Sequence, residues 1–459
     1  MSQKRMLNEM ELLKQKWAGM LDHKDMPKIR DNHRAICTAI MLENTEIALS
    51  EDRVHLPPQL RLDEAGVAMP VNFMGGSSSD PSTGAIDTFD PILISMVRRS
   101  APNLVAYDIV GVQPMTGPTG LIFAMRSRYS NQTGGETFYN EVNTMFSSVL
   151  AGANTLGDKH VGGLPGNSTS VSNLAATGIY NYGSAMSTAQ GEALGTVSNA
   201  DFAQMGFSIE KNTVTARTRA LAAEYTLELA QDLKAVHGMD ARAELINILS
   251  TEILAEINRE VVRTVNLAAT IGCQEDTTTA GFFDLDTDSN GRWSVEKWKG
   301  LMYQLDRECN ALAKSTRRGK GNIAIMTSDV ASALQAAQVL DYTPALQNSL
   351  NPDDTGSTFI GVLNGKIKCF IDPYSTGGQY INVGYKGQSA FDAGLFYCPY
   401  VPLQLMNAVR PDSFTPRIGF KTRYGMTANP FAQGLTAGGG TIVVDSNVYY
   451  RKFLVTHLM

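Results

Sequence analysis

The sequence predicts an α+β fold, and three observations carry that expectation. A long amphipathic run spans Asp240 to Val265, and the helical stretch EYTLELAQDLKAVHG comes directly before it. Two strand-like limbs, QPMTGPTGLIFAMRSRYS and MGFSIEKNTVTARTRALAAE, flank a segment rich in Gly, Ser, Thr, Asn and Ala. From Asn322 onward short helices and strands alternate, as in a mixed α/β unit.

Residues 1–64 read as a separate element. Leu7, Met10, Leu13, Trp17 and Met20 keep a three-to-four spacing, and Ile29, Ile36, Ile40 and Ile47 suggest a second helix after Pro27. Two such helices have little to pack on within their own segment. They are built to lie against a partner, to pair with copies of themselves, or to dock as a hairpin on the main body. Residues 65–88, rich in Gly, Ser and Pro, cannot make a core and form an extended arm.

Residues 89–130 begin the main body. FDPILISMVRRSAP reads as a short helix from Asp90 that stops near Pro102, and LVAYDIVGVQPM as a strand. Thr116 to Gly120 is turn chemistry, and Leu121 to Tyr129 starts the next strand. Arg126, Arg128, Arg217 and Arg219 on the two limbs point either to ion pairs between subunits or to solvated strand faces. Between the limbs, residues 131–204 carry few bulky side chains to anchor a core. Asn131 and Asn167 occupy Asn-x-Ser/Thr sequons, without a secretory signal to make them acceptors.

Residues 205–265 hold the second limb and the long helix. Ile246, Leu249, Ile253, Ile257 and Val261 recur at three- and four-residue steps and lay one apolar stripe. Glu252, Glu256, Arg259 and Arg263 fall elsewhere, facing a subunit interface or an interior, and Asp240 after Gly238 caps the start. At about 1.5 Å per residue such a run makes a rod of roughly 39 Å, a spine for the layers around it.

Residues 266–410 read as a mixed α/β domain, and 411–459 as strands returning to the layer of the spine. Within the first, GFFDLDTDSNGRWSVEKWK suggests a calcium loop, with Asp286, Asp288 and Asn290 as alternating oxygen ligands ahead of Gly291. The second half does not follow: position twelve is Lys297, and Glu296 arrives one place early. A turn into a helix from Ser294 to Lys314 is the competing reading. STRRGKGN follows that helix, so its order is wrong for a phosphate-binding loop; Arg317, Arg318 and Lys320 instead complement a helix C-terminus or meet an acidic neighbour.

Composition narrows function. A chain of 459 residues holds two or three cores, and a charged fraction of 18% suits a surface covered by neighbours. A formal charge of -6 disfavours tight electrostatic gripping of nucleic acid. Cys37, Cys273, Cys309, Cys369 and Cys398 form no CxxC pair and read as buried thiols of a reducing cytoplasm. There is no apolar run of about 18 residues for a membrane span and no signal-peptide pattern. His23, His33, His55, His160, His237 and His457 form no HxxxH or HExxH pair, and Gly-x-Ser-x-Gly is absent. The sequence offers no catalytic constellation and asks for no cofactor.

ELAQDLKAVHGMDARAELINILSTEILAEINREVV closely resembles the spine of the major capsid proteins of T-even-type tailed bacteriophages. VGYKG at Val383, DAG at Asp392, PYVPL at Pro399, and GFKTRYG with NPF between Gly419 and Phe431 resemble the same family. The wording of the spine and of RRGKGN leans toward relatives from marine cyanobacterial phages. The resemblance implies the tailed-phage capsid fold: a peripheral domain with the spine, an axial domain, an extended β-loop carrying an insertion, and an N-terminal arm. It also implies hexameric capsomers in a virion shell, icosahedral or prolate, enclosing DNA without sequence-specific binding and assembled in the host cytoplasm. The implied partners are a capsid vertex protein, an internal scaffold, a prohead protease, a portal, outer decoration proteins, and a host chaperonin with a phage co-chaperone. The paralogous pentameric vertex protein is the alternative within this class, and a calcium-binding or enzymatic soluble protein the alternative outside it.

Leu62-Asp63-Glu64 before Ala65 resembles the Leu/Ile-x-Glu site that the prohead protease trims in this family, at a matching place in the chain. The same tripeptide pattern occurs at Leu7-Asn8-Glu9, Leu49-Ser50-Glu51 and Leu254-Ala255-Glu256, the last inside the spine. Leu62 to Glu64 differs by lying between Pro57-Pro58 and a loose stretch where backbone is open to a protease. Removal of 1–64 after Glu64 is therefore expected, breaking its partner contacts and driving shell expansion.

Overall fold

The structure is a computed structural model that describes residues 10–21, 29, 31–55, 104–137, 146–147, 185, 188–192, 194–195, 202–275, 277–289, 291–337, 340–342, 358–375, 377–387, 389, 392–410, 412, 415–433 and 440–458. Residues 10–16 are helical and continue into α1 (Ala18–Leu21), and α2 runs over Asn32–His55. Within the subunit these helices dock on the main body. Trp17 and Leu21 close over Ala39 and Leu42, while Cys37 on α2 joins the main core. The expected helix from Asp90 lies outside the described residues.

The run Leu104–Met115 is not the expected strand. Val105 N donates to Asn258 Oδ1 on the spine at 3.1 Å, and one helical turn, α3 (Ala106–Ile109), follows before the short β1 (Gly111–Val112). Ala106, Tyr107, Ile109, Val110 and Val112 are all buried. An apolar run buried on every side carries no period with which to distinguish strand from helix.

The two limbs form a long ribbon. β2 (Thr119–Tyr129) and β3 (Met205–Thr215) pair antiparallel without a break, from Thr119↔Thr215 to Tyr129↔Met205. A helical turn, α4 (Thr188–Glu192), is described in the segment between them. β4 (Arg217–Glu224) leads to α5 (Leu227–His237), whose Thr226 hydroxyl accepts from Leu229 N and whose C-cap Gly238 adopts φ 67°. His237 is the last helical residue, directly before the left-handed Gly238.

The spine helix α6 covers Ala241–Ala268, with Asp240 Oδ1 accepting from Arg242 N at 3.0 Å. Its five predicted stripe residues are all buried, and Val265 extends the stripe. Each such side chain contributes about 1.5–3 kcal/mol relative to exposure, so the stripe dominates the helix's attachment. The helix passes without a loop into β5 (Ala269–Ile271).

β6 (Phe282–Asp284), α7 (Ser294–Thr316), β7 (Ile323–Met326), α8 (Ser328–Ala336), β8 (Leu340–Tyr342), β9 (Thr358–Leu363), β10 (Ile367–Ile371), β11 (Gln379–Gly384), β12 (Leu395–Val409), β13 (Pro416–Ala428) and β14 (Asn447–Thr456) complete the chain. Asn364 and Gly365, at φ 50° and 65°, make the tight β9–β10 hairpin.

The strands divide between two sheets. One has the order β1-β12-β13-β4 and packs on the spine through residues such as Tyr397, Ile418 and Phe420. The other has the order β5-β14-β11-β7-β10-β9-β8, with β6 also on β14, and is covered by α7 and α8 through Leu301, Leu305, Leu312, Val330 and Leu334. The strands of 411–459 therefore part company: β13 lies with β12 and β4, and β14 joins the larger sheet.

Candidate assembly surfaces

The ribbon alternates over most of its length. On one face Leu121, Phe123 and Met125 of β2 and Met205, Phe207 and Ile209 of β3 are each more than half exposed. Met125 and Ile209 are directly paired, so these side chains form one apolar field. The opposite face buries Ile122, Arg126, Asn212 and Val214. α5 has no buried residue, and its Leu227, Leu229 and Val236 are exposed. Contiguous apolar surface of this kind marks contact with another protein.

Three of the four limb arginines pair inside the subunit, where the sequence suggested either pairs between subunits or solvated strand faces. Arg126, 1% exposed, pairs through Nε with Glu210 at 3.0 Å and through Nη1 with Glu136 at 3.3 Å. Its Nη2 donates to Pro430 O at 3.2 Å, and its guanidinium lies 4.4 Å from the Phe431 ring. Burial pushes the Glu136 carboxyl up despite these arginines. Arg128 Nη2 lies 3.2 Å from Glu210, and its Nη1 donates to Gly134 O at 2.9 Å. Arg219 reaches Glu256 at 2.8 Å. Arg217 is exposed.

Part of the spine's charged face also turns inward. Arg259 pairs with Asp372, which further accepts from Tyr380 Oη at 2.5 Å and Tyr374 N at 3.1 Å. Glu252 and Arg263 remain exposed and are available to a neighbour. Asn258, buried in the apolar stripe, links the start of α3 to the spine, and a lone polar residue in that stripe was the available signal.

The calcium-loop reading meets a different arrangement. Lys297, at position twelve, pairs with Asp286 through its ammonium. Asp288 accepts from Thr278 N at 2.9 Å, Thr278 Oγ1 at 2.7 Å and Asp284 N at 3.0 Å. Burial raises the Asp288 carboxyl, but these bonds outweigh it and hold it below its ordinary value. Asn290 lies outside the described residues. The two aspartates are thus engaged by a tethered cation and by backbone donors. Ligand atoms of Asp284, Asp286 and His457 lie within 4.8 Å of one another, with His457 Nδ1 2.9 Å from Asp284. His457 reaches the loop because β14 pairs with β6, a register that spacing alone does not reveal. These groups are mostly exposed and bonded to each other.

The competing helix is present: α7 begins at Ser294, and Glu296 reaches back to Arg292 N at 2.9 Å. At its far end Arg317 is the left-handed C-cap, Lys320 pairs with Asp306, and Arg318 is partly covered. Arg318 lies 2.8 Å from Asp392 and 4.7 Å from the same Phe431 ring that Arg126 touches.

All five cysteines are buried, and burial pushes each thiol up to about 12. His33 Nε2 comes within 3.6 Å of Cys37 Sγ, yet so protonated a thiol is no nucleophile. Leu49–Glu51 and Leu254–Glu256 both lie in helices, where the backbone is not extended. Leu62, Asp63, Glu64 and Ala65 lie outside the described residues. Among the described residues, no helix is long and apolar enough to cross a membrane.

These features define a structural α+β subunit whose chemistry lies in surfaces rather than in a reaction centre. The chain belongs to the Gp23 major capsid protein family, whose description is "Major capsid protein Gp23" and which residues 86–455 match. The major capsid protein of Serratia phage KSP90 is 41% identical, over 83% of this chain and 89% of the relative. That of Vibrio phage KVP40 is 36% identical over 97% and 100%, and that of Enterobacteria phage T4 33% identical over 96% and 97%. The capsid vertex protein of phage T4 is 27% identical, over 51% of this chain and 55% of the relative. Among solved structures, the capsid of Myoviridae phage XM1 is similar at 9% identity and TM-score 0.37, covering 77% of this chain and 92% of that one. The fold is that of tailed-phage capsid proteins, and the relatives are shell proteins, not enzymes.

Proposed function

We propose that this chain forms hexameric capsomers that tile a phage head around its DNA, and that residues 1–64 are removed after Glu64 as the shell matures. The similarity to major capsid proteins over nearly the whole chain carries this reading. The uncovered apolar field of the ribbon and the bare face of α5 support it, because a subunit that remained alone would leave both in water.

The vertex-protein reading is weaker, since that relative matches only half of the chain. A scaffold bound by residues 1–64, a prohead protease, a portal, a vertex protein, decoration proteins and a chaperonin with its phage co-chaperone are partners in the same proposal. Assembly would take place in the host cytoplasm. A cyanobacterial-phage origin rests on the wording of the spine and RRGKGN alone.

Mass spectrometry of the protein from mature heads tests the processing step. The proposal expects a chain starting at Ala65. A chain that still carries Met1 contradicts it.

A further inference from the structure

We infer that residues 32–47 act as a latch within the subunit, sealing the β1 edge of the four-stranded sheet, and that cutting after Glu64 does not release it. The inference rests on the proposed processing, and adds that maturation has a second, non-covalent step.

β1 is the outer strand of its sheet, so its outward backbone carbonyl needs a donor. α2 supplies one to Val112 O and two more to carbonyls just past β1 and on β12. The Asn44 side-chain amide donates to Met115 O at 2.7 Å and to Tyr400 O at 2.8 Å, joining the chain beyond β1 to β12. His33 Nε2 donates to Val112 O at 3.0 Å. Arg34 lies 2.7 Å from Asp108 and stacks 5.3 Å from the Tyr107 ring.

Between these polar ties Cys37 enters the main core, and Ala39 and Leu42 pack under Trp17 and Leu21 with Leu405 of β12 alongside. Outside, Lys16 bonds Glu43 and Glu46, and Trp17 Nε1 donates to Glu43, so the first helix clamps the second.

All of these contacts lie on the N-terminal side of residue 48, well before Glu64. Cutting there removes the tether and its effective concentration but none of the bonds. The fragment then leaves only at the rate its own contacts allow, or when something displaces it. Only that departure bares Val112 O, Met115 O and Tyr400 O.

The test replaces Leu62 to Ala65 with the recognition sequence of a site-specific protease, cuts the purified full chain, and runs it on native size exclusion. The fragment is expected to co-elute with the body, and Cys37 to stay as protected from a thiol reagent as in the uncut chain. Separation of the fragment on cutting, with immediate Cys37 labelling, overturns the latch. Asn44→Ala should release the fragment at least tenfold faster, and an unchanged rate also counts against it. Because the cut is engineered, a mature head still carrying Met1 would refute the processing reading and leave this result standing.

Discussion

Arg219 on β4 and Glu260 on the spine helix form an ion pair of 2.5 Å, and the Tyr424 hydroxyl from β13 meets the same carboxylate oxygen. The pair stitches the sheet to the helix beneath it. Both side chains are about one-third exposed, at 34% and 37%, so solvent screening limits its worth to about 1 kcal/mol. Arg219→Ala should lower the unfolding free energy from denaturant titration by an amount of that order. Glu256→Gln, which leaves the Glu260 bond in place, should fold normally and lose less. An Arg219→Ala chain as stable as the parent would show that the spine is held by its apolar stripe alone.

That stripe supplies the second prediction. Ile253 is 1% exposed in the main core. Ile253→Ala should cost about 2–5 kcal/mol, and Ile253→Asp or Ile257→Asp should yield no soluble chain, because an unpaired carboxylate would be buried. The soluble fraction on expression reads this directly.

The spine was legible because it repeats a period for long enough to be read, in steps of three and four from Ile246 to Val261; the ribbon was legible through the resemblance of its two limbs to the family's extended β-loop, and the structure pairs them without a break from Thr119↔Thr215 to Tyr129↔Met205. Leu104–Met115 was not, because burial on all sides erases the period. Partners were harder still. That Arg126 pairs with Glu136 and Glu210, or that His457 meets Asp284, depends on which strands lie side by side. Nor does spacing show that α2 covers β1, since its polar anchors His33, Arg34 and Asn44 answer carbonyls and a carboxylate far along the chain.

Asp372 predicts a pH dependence. Burial raises its carboxyl, but bonds from Arg259, Tyr380 and Tyr374 N outweigh burial and hold it below its ordinary value. A carboxyl depressed in the folded state stabilises above its unfolded pKa, about 3.9, and that contribution is lost as pH falls through the lower folded value. Asp372→Asn should therefore be less stable than the parent at pH 7, and the gap should close in acid. Thermal unfolding of both chains between neutral pH and about pH 3 measures it; a gap independent of pH would contradict the assignment.

Lys297 predicts the behaviour of the aspartate loop. Its ammonium on Asp286 supplies the charge a cation would bring. The parent's melting temperature should not respond to millimolar calcium. Lys297→Glu removes the tethered cation and places a carboxylate at position twelve, so its melting temperature should rise with calcium. A calcium-dependent rise in the parent would show that Lys297 yields to the metal.

Cryo-electron microscopy of purified heads tests the central claim most directly. The account predicts this chain in hexameric tiles across the shell, beginning at Ala65, with the ribbon's Phe123, Met125 and Ile209 covered by a neighbouring copy. A shell in which this chain appears only as pentamers at the vertices, or in which those three side chains face solvent, would contradict it.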